Sequence, residues 1–211
     1  MKKMDDDIEL ISFDMDGTLI PKEFADKFWL ERLPELYSEK VGLNMEEVQE
    51  KFMKEYEEIG KDDIKWYEPE YWFSKYELEH EPRKVLEDLR TEYELYDDAK
   101  EVIKKLHEKY DLIIISNGIK MFIEVGLGEY QTYFTKLYSS VSDFGMSSKT
   151  PYLYREICKK IDVDPERAIH VGDDRENDYV SAKKAGIRSY LVSRDGKNGL
   201  GDLRELLDIL L

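Results

Sequence analysis

The chain has 211 residues, 41% of them hydrophobic, which suits one domain, or one domain carrying an insertion, with a core that needs no staples. Lys and Arg number 32 against 48 Asp and Glu, a formal net charge of −16. That balance argues against nucleic acid or an anionic membrane surface as a partner, because both demand a basic footprint.

In chain order, the N-terminal nine residues carry two lysines and then acids, with no apolar run of leader length. No segment approaches the length that spans a bilayer, so the expected location is the cytoplasm. Residues 8–13 form a short apolar run ending at Asp14, the first predicted strand. From Phe24 to Arg90 the strand signals stop. Residues 45–59 place Val48, Phe52 and Tyr56 on one helix face, and an aromatic cluster follows: Trp66, Tyr67, Tyr71, Trp72, Phe73 and Tyr76. This stretch reads as a helical insertion with its own small aromatic core. Ala99, Val102, Ile103 and Leu106 then repeat at helical spacing, ahead of a second strand at 112–115. A weaker third strand is expected at 137–141. Leu153, Ile157 and Ile161 mark another helix, in which the lone Cys158 reads as a small buried apolar group. A fourth strand follows at 168–171, then a short helix with Ala182 and Ala185 that stops at Gly186. A fifth strand at 189–192 and a closing amphipathic helix with Leu203, Leu206, Leu207 and Ile209 end the chain. Brief, wholly apolar strands alternating with helices predict an α/β fold, a doubly wound parallel sheet covered on both faces. The insertion is assigned to residues 21–90 as a helical cap, and 1–20 with 91–211 to the core.

Open parallel sheets bind ligands at the carboxyl ends of their strands, where the polar residues collect. The first strand ends in Asp14-Met15-Asp16-Gly17-Thr18. Extended residues two apart point to the same side, so two carboxylates address one pocket and repel unless a proton or cation separates them. The second strand ends in Ser116-Asn117-Gly118, a hydroxyl and backbone N–H groups suited to an anion. The fourth ends in Gly172-Asp173-Asp174, with Asp178 close behind. Oxygen donors without Cys or His suit Mg2+. Lys149 supplies a positive charge before the fourth strand, with Lys120 and Lys136 as alternatives. His170, within the fourth strand, reads as structural.

These four motifs, in this order, resemble the haloacid dehalogenase (HAD) superfamily, and the position of the insertion resembles its C1-type cap. The resemblance implies a Rossmann-like core and roles for its residues. Asp14 is the expected nucleophile and Asp16 the expected acid and base. Thr18, Ser116, Asn117 and Lys149 are expected on the phosphate. Mg2+ is expected on Asp14, the backbone carbonyl of Asp16, and Asp173, with Asp174 and Asp178 behind them. Asp16 favours a phosphatase over a dehalogenase, since halide leaves without a proton and an alkoxide does not. The expected substrate is a small phosphorylated metabolite, and the expected assembly a monomer or homodimer. The alternatives are a phosphomutase of the same superfamily and a catalytically silent binding module on the same scaffold. One departure is Lys149-Thr150-Pro151, where the family often has proline directly after the lysine.

Overall fold

The computed structural model describes residues 7–211, so the first six residues of the expected core segment, and most of the stretch read for a leader, lie outside the described residues. Five strands, β1 (Leu10–Phe13), β2 (Asp111–Ser116), β3 (Lys136–Ser139), β4 (Ala168–Gly172) and β5 (Arg188–Leu191), form one sheet in the order β3-β2-β1-β4-β5. Every pairing is parallel. All four residues of β1 are buried, as befits a central strand with neighbours on both edges and layers on both faces. Alternation along the strand divides the core: Ile11 and Phe13 pack into one layer and Leu10 into the other. The second layer holds Leu153, Tyr154, Ile157 and Cys158, so the lone thiol is a packing residue. Burial pushes it up to about 11.

The strand order reverses between β1 and β4, which places a switch point at the carboxyl end of β1. Register makes neighbours of the ends: Phe13 pairs with Ile114 on one side and Val171 on the other. The loops leaving β1, β2 and β4 therefore share one edge.

Between β1 and β2 the described residues form helices only. A continuous helical stretch runs through Glu23–Lys27, a wider π-type turn Phe28–Arg32, and Leu33–Val41. Pro34 explains the widening, since it has no N–H to give the carbonyl of Leu30 four residues back. Gln49 Nε2 donates to that carbonyl instead, at 3.1 Å, tying the next helix to the turn. That helix, Met45–Ile59, begins at Asn44, whose side chain accepts from the Glu46 N–H at 2.9 Å. Trp72, Phe73 and Tyr76 are buried as expected of an aromatic core, while Trp66, Tyr67 and Tyr71 stay partly exposed. The helical layer seats on the sheet layer through Phe122, which stacks on Trp29 (centroids 5.7 Å, 6°) and meets Phe28 edge-on at 5.1 Å.

Strand ends fall within two residues of expectation; two boundaries have a local cause. β3 stops at Ser139, and Ser140–Phe144 is helical. Ser139 Oγ accepts from the Ser142 N–H while Asp143 accepts from the Ser139 N–H, both at 2.8 Å, a reciprocal cap that outweighs the strand preference of Val141. The closing helix begins at Glu205, two residues late, because Leu203 N–H is taken by Asp98 at 2.7 Å.

Asp98 is the tie between the two ends of this layer. It is 5% exposed, pairs with Arg194 at 2.5 Å, and accepts from the N–H of Ala99 as well as that of Leu203. Arg194 in turn donates to the carbonyl of Thr18 at 2.5 Å and stacks on Tyr96. Asp98→Ala strands a buried N–H and a half-buried guanidinium, and is expected to cost roughly 2–4 kcal/mol, read as a lowered urea midpoint at unchanged slope.

Candidate active site

Asp14 stands at the end of β1, where its N–H still donates to Val171 O at 2.9 Å, so its backbone is fixed by the sheet. Gly17 follows with φ +78°, a turn that favours glycine. A Cβ there would lie 2.7 Å from Asp173 Oδ2, so the glycine also lets the β1 and β4 loops approach. Gly172 has the same function at β4: a Cβ would fall 2.3 Å from the Asp178 carboxyl carbon.

Lys149 is 2% exposed and lies between two acids, paired with Asp14 Oδ1 and, at 2.5 Å, with Asp178 Oδ1. Its N–H donates to Asn177 Oδ1 at 3.2 Å, which anchors the loop that carries it. The shift of proline to position 151 leaves the lysine in the site, with Thr150 capping the helix Pro151–Lys160. Asp178 is fully buried and fully used: Lys149 and His170 Nε2 (3.0 Å) meet Oδ1, and the Asp174 N–H donates to Oδ2 at 2.9 Å. Lys149 and His170 hold its carboxyl below the usual range despite burial. His170 Nδ1 lies 2.8 Å from Ser12 Oγ, and burial lowers the imidazole. Asp174 turns its side chain away from this cluster and caps the N–H groups of Glu176 and Asn177 at 2.9 and 2.8 Å.

The other carboxyls are held high. Burial raises Asp14 well above the carboxylate range, with Asp178 and Asp173 adding repulsion that Lys149 only partly offsets. Burial and Asp173 push Asp16 up to about 7. Asp173 is raised by burial, although Lys22 pairs with it at 2.5 Å. Oxygens of Asp14, Asp173 and Asp178 all lie within 4.8 Å of one another. Carboxylates this close and this desolvated lack positive charge, and an oxygen-only donor set is what a hard divalent cation such as Mg2+ takes. The residues present therefore fit Mg2+.

Of the phosphate residues expected from sequence, Lys149 and Ser116 lie at this cluster. Ser116 ends β2, buried, with Oγ accepting from the Gly118 N–H at 3.1 Å. A side chain at Gly118 would meet Ser116 Oγ at 3.5 Å and Asp16 Oδ2 at 3.8 Å, so hydroxyl and carboxyl border the same space. Asn117 is half-buried and its Oδ1 accepts from Ser140 Oγ at 3.3 Å. Thr18 is fully buried, and its Oγ1 has no partner within the described residues. Of the alternative lysines, Lys120 pairs with Asp143 at 2.8 Å and Lys136 is exposed on β3. Two features were missed from sequence. Lys22 had no motif to flag it, and His170 gave no sign that its second nitrogen would reach Asp178.

Known proteins resemble this chain in both sequence and shape. It is 30% identical over 89 residues to the GMP/IMP nucleotidase YrfG of Escherichia coli (strain K12), a stretch covering 39% of this chain and 40% of that protein. A HAD phosphatase from Thermococcus onnurineus superposes with a TM-score of 0.79 at 24% identity, over 95% of this chain and 98% of that one. A 2-haloacid dehalogenase from Pseudomonas syringae pv. Tomato DC3000 superposes with a TM-score of 0.69 at 20% identity, over 96% and 98%. These superpositions establish a shared fold, and a phosphatase and a dehalogenase both have it. The model of one hydrolase family matches residues 8–186, from the first strand through the glycine that ends the last short helix before β5, and so the chain belongs to the haloacid dehalogenase-like hydrolases.

Proposed function

We propose that the protein is a Mg2+-dependent phosphatase of small organic phosphomonoesters, acting through an aspartyl-phosphate on Asp14 beneath a helical cap of residues 21–90. One observation supports this reading above the others: Asp16, a carboxyl that burial and Asp173 push up to about 7, borders the same space as Ser116 and follows Asp14 by two residues. A phosphomonoester needs that proton for its leaving oxygen, and a halide would not.

Asp14 Oδ1 is engaged by Lys149, which leaves the other oxygen to attack phosphorus. The P–O bond to the leaving group breaks as Asp16 donates its proton to the departing oxygen. Asp16, now a carboxylate, takes a proton from water as that water attacks phosphorus. The bond from phosphorus to Asp14 then breaks, releasing inorganic phosphate and restoring the free carboxylate. Ser116 and the Asn117 N–H hold phosphate oxygens, with Lys149 supplying positive charge. Bound Mg2+ supplies the charge neutralisation that lets a carboxylate approach an anionic phosphate, held by Asp14, Asp173 and the Asp16 carbonyl, with Asp178 fixing Lys149 behind them. The nucleotidase among the relatives puts nucleoside monophosphates in the first substrate panel.

Asp14→Asn is expected to lower kcat on an aryl phosphate by at least about 10^4-fold, and chelation to abolish turnover reversibly. Activity that survives either treatment would contradict the mechanism. Asp16→Asn is expected to slow an alkyl phosphate far more than a p-nitrophenyl phosphate, whose leaving group needs little protonation; equal losses would remove Asp16 from the acid role. Metal binding has a readout independent of turnover. Mg2+ at a hundredfold excess over its Kd is expected to stabilise the wild type by about 2.7 kcal/mol, seen as a raised Tm, and Asp173→Asn to lose that shift.

A further inference from the structure

Two lysines pair with the acids at this edge of the sheet, and they are held differently. Lys149 is sealed between Asp14 and Asp178. Lys22 reaches in from solvent: its side chain is 60% exposed, yet its ammonium pairs at 2.5 Å with Asp173 Oδ2, on a side chain only 14% exposed. We infer that Lys22 is an exchangeable counter-cation of Asp173, which it yields to Mg2+, and that Lys22 thereby sets the metal affinity of the site. The inference rests on the Mg2+ reading above.

Three observations carry it. The first is a shared carboxylate. Asp173 is one of the three acids whose oxygens lie within 4.8 Å of one another, and Lys22 already holds it. An ammonium on that carboxylate repels an arriving divalent cation twice as strongly as it would a second ammonium. Its hydrogen bond to Asp173 comes first in raising the Lys22 ammonium, and the charges of Asp173 and Asp14 add to it, so Lys22 stands in the field of two acids proposed for the metal. The second is the space that admits it. A Cβ on Gly17 would lie 2.5 Å from Lys22 Cε and 2.7 Å from Asp173 Oδ2, so the bare turn after Asp16 lets stem and carboxylate meet. The third is freedom to leave. Lys22 directly precedes the helix Glu23–Lys27, and its carbonyl accepts from the Asp26 N–H at 3.1 Å, which fixes its main chain. Only the four-carbon stem has to rotate, and it rotates into water. A pair with one partner this exposed is weak enough for a divalent cation to break. Lys149 has no such exit.

The test is calorimetric titration of Mg2+ into the wild type, Lys22→Met, Lys22→Arg and Lys27→Met. Lys22→Met is expected to tighten the Mg2+ Kd by up to about fivefold, the weight of one largely exposed ion pair. Lys22→Arg keeps the competing charge and is expected to bind no tighter than the wild type. Lys27, paired with Glu31 at 2.6 Å, carries the same charge on the same helix, and Lys27→Met is expected to leave the Kd unchanged. A second readout follows the ammonium itself. Acetylation by an N-hydroxysuccinimide ester, read by mass spectrometry as Lys22 relative to Lys27, is expected to rise in saturating Mg2+. A Kd that Lys22→Met leaves unchanged, or tightens no more than Lys27→Met does, would overturn the inference, and so would acetylation of Lys22 that Mg2+ does not raise. Those failures leave the metal site standing, whereas Mg2+ that does not bind the wild type removes the Mg2+ reading and the exchange together. Lys22 lies on the surface, so its substitution does not put folding at risk.

Discussion

Negative charge is concentrated at one edge of this sheet more densely than the protein's own cations can neutralise it. Carboxylate oxygens of Asp14, Asp173 and Asp178 stand within 4.8 Å of one another, and Asp16 adds a fourth acid. Two unit charges at such a separation repel by about 3 kcal/mol even at an effective dielectric constant of 20. The chain offsets this unevenly. Asp178 receives a buried lysine, a buried imidazole and a backbone N–H, and its carboxyl falls. Asp14, Asp16 and Asp173 stay high. The cluster thus divides into a neutralised part, Asp178 with Lys149 and His170, and a part, Asp14, Asp16 and Asp173, whose crowding Lys149 and Lys22 offset only partly. The first part holds Lys149 in place without a cation; the second makes room for one.

The point at which the helical layer enters the chain follows from this. It leaves directly from β1, the strand that ends at Asp14, the proposed nucleophile, so its first helix begins nine residues after Asp14. Lys22, Asp26 and Trp29 fall at successive turns. A single helical stretch therefore runs from the Asp173 carboxylate to the aromatic cavity lined by Trp29, Tyr56 and Trp66. Pro34 widens that element after Trp29, and Gln49 repairs the carbonyl it frees, so the helix turns without leaving a polar group unpaired.

How much of this was legible in the sequence depends on the range of the interaction concerned. Strand periodicity located five strands and their parallel sheet, because a buried strand needs only that its own residues be apolar. The span 45–59 was legible to the residue, since Asn44 and Gly60 punctuate it locally. β3 ran long because the reciprocal cap between Ser139 and Asp143 competes with strand propensity over four residues and leaves no periodic trace. In the site, Asp14, Asp16 and Asp173 were readable because each sits at a strand end beside a glycine turn. Lys22 and the contact from His170 to Asp178 were not, since both depend on which side chains the turns at Gly17 and Gly172 admit, and a missing Cβ is visible only when the neighbours are in place.

A phosphatase and a dehalogenase superpose on this chain, so the sheet and its helical layer do not by themselves choose a reaction. Both chemistries begin with a carboxylate attacking an electrophile, and strand geometry supplies that carboxylate equally well in each. They part at the leaving group. Halide departs as a stable anion, so an acid beside the nucleophile would only add a repelling charge whenever it ionised. An alkoxide is too basic to depart without a proton. On the proposed mechanism Asp16 meets that need through its surroundings: burial and the neighbouring Asp173 raise its carboxyl to about 7. Burial is the larger of the two causes, so the proposed acid role of Asp16 depends first on the layers that close over this edge of the sheet.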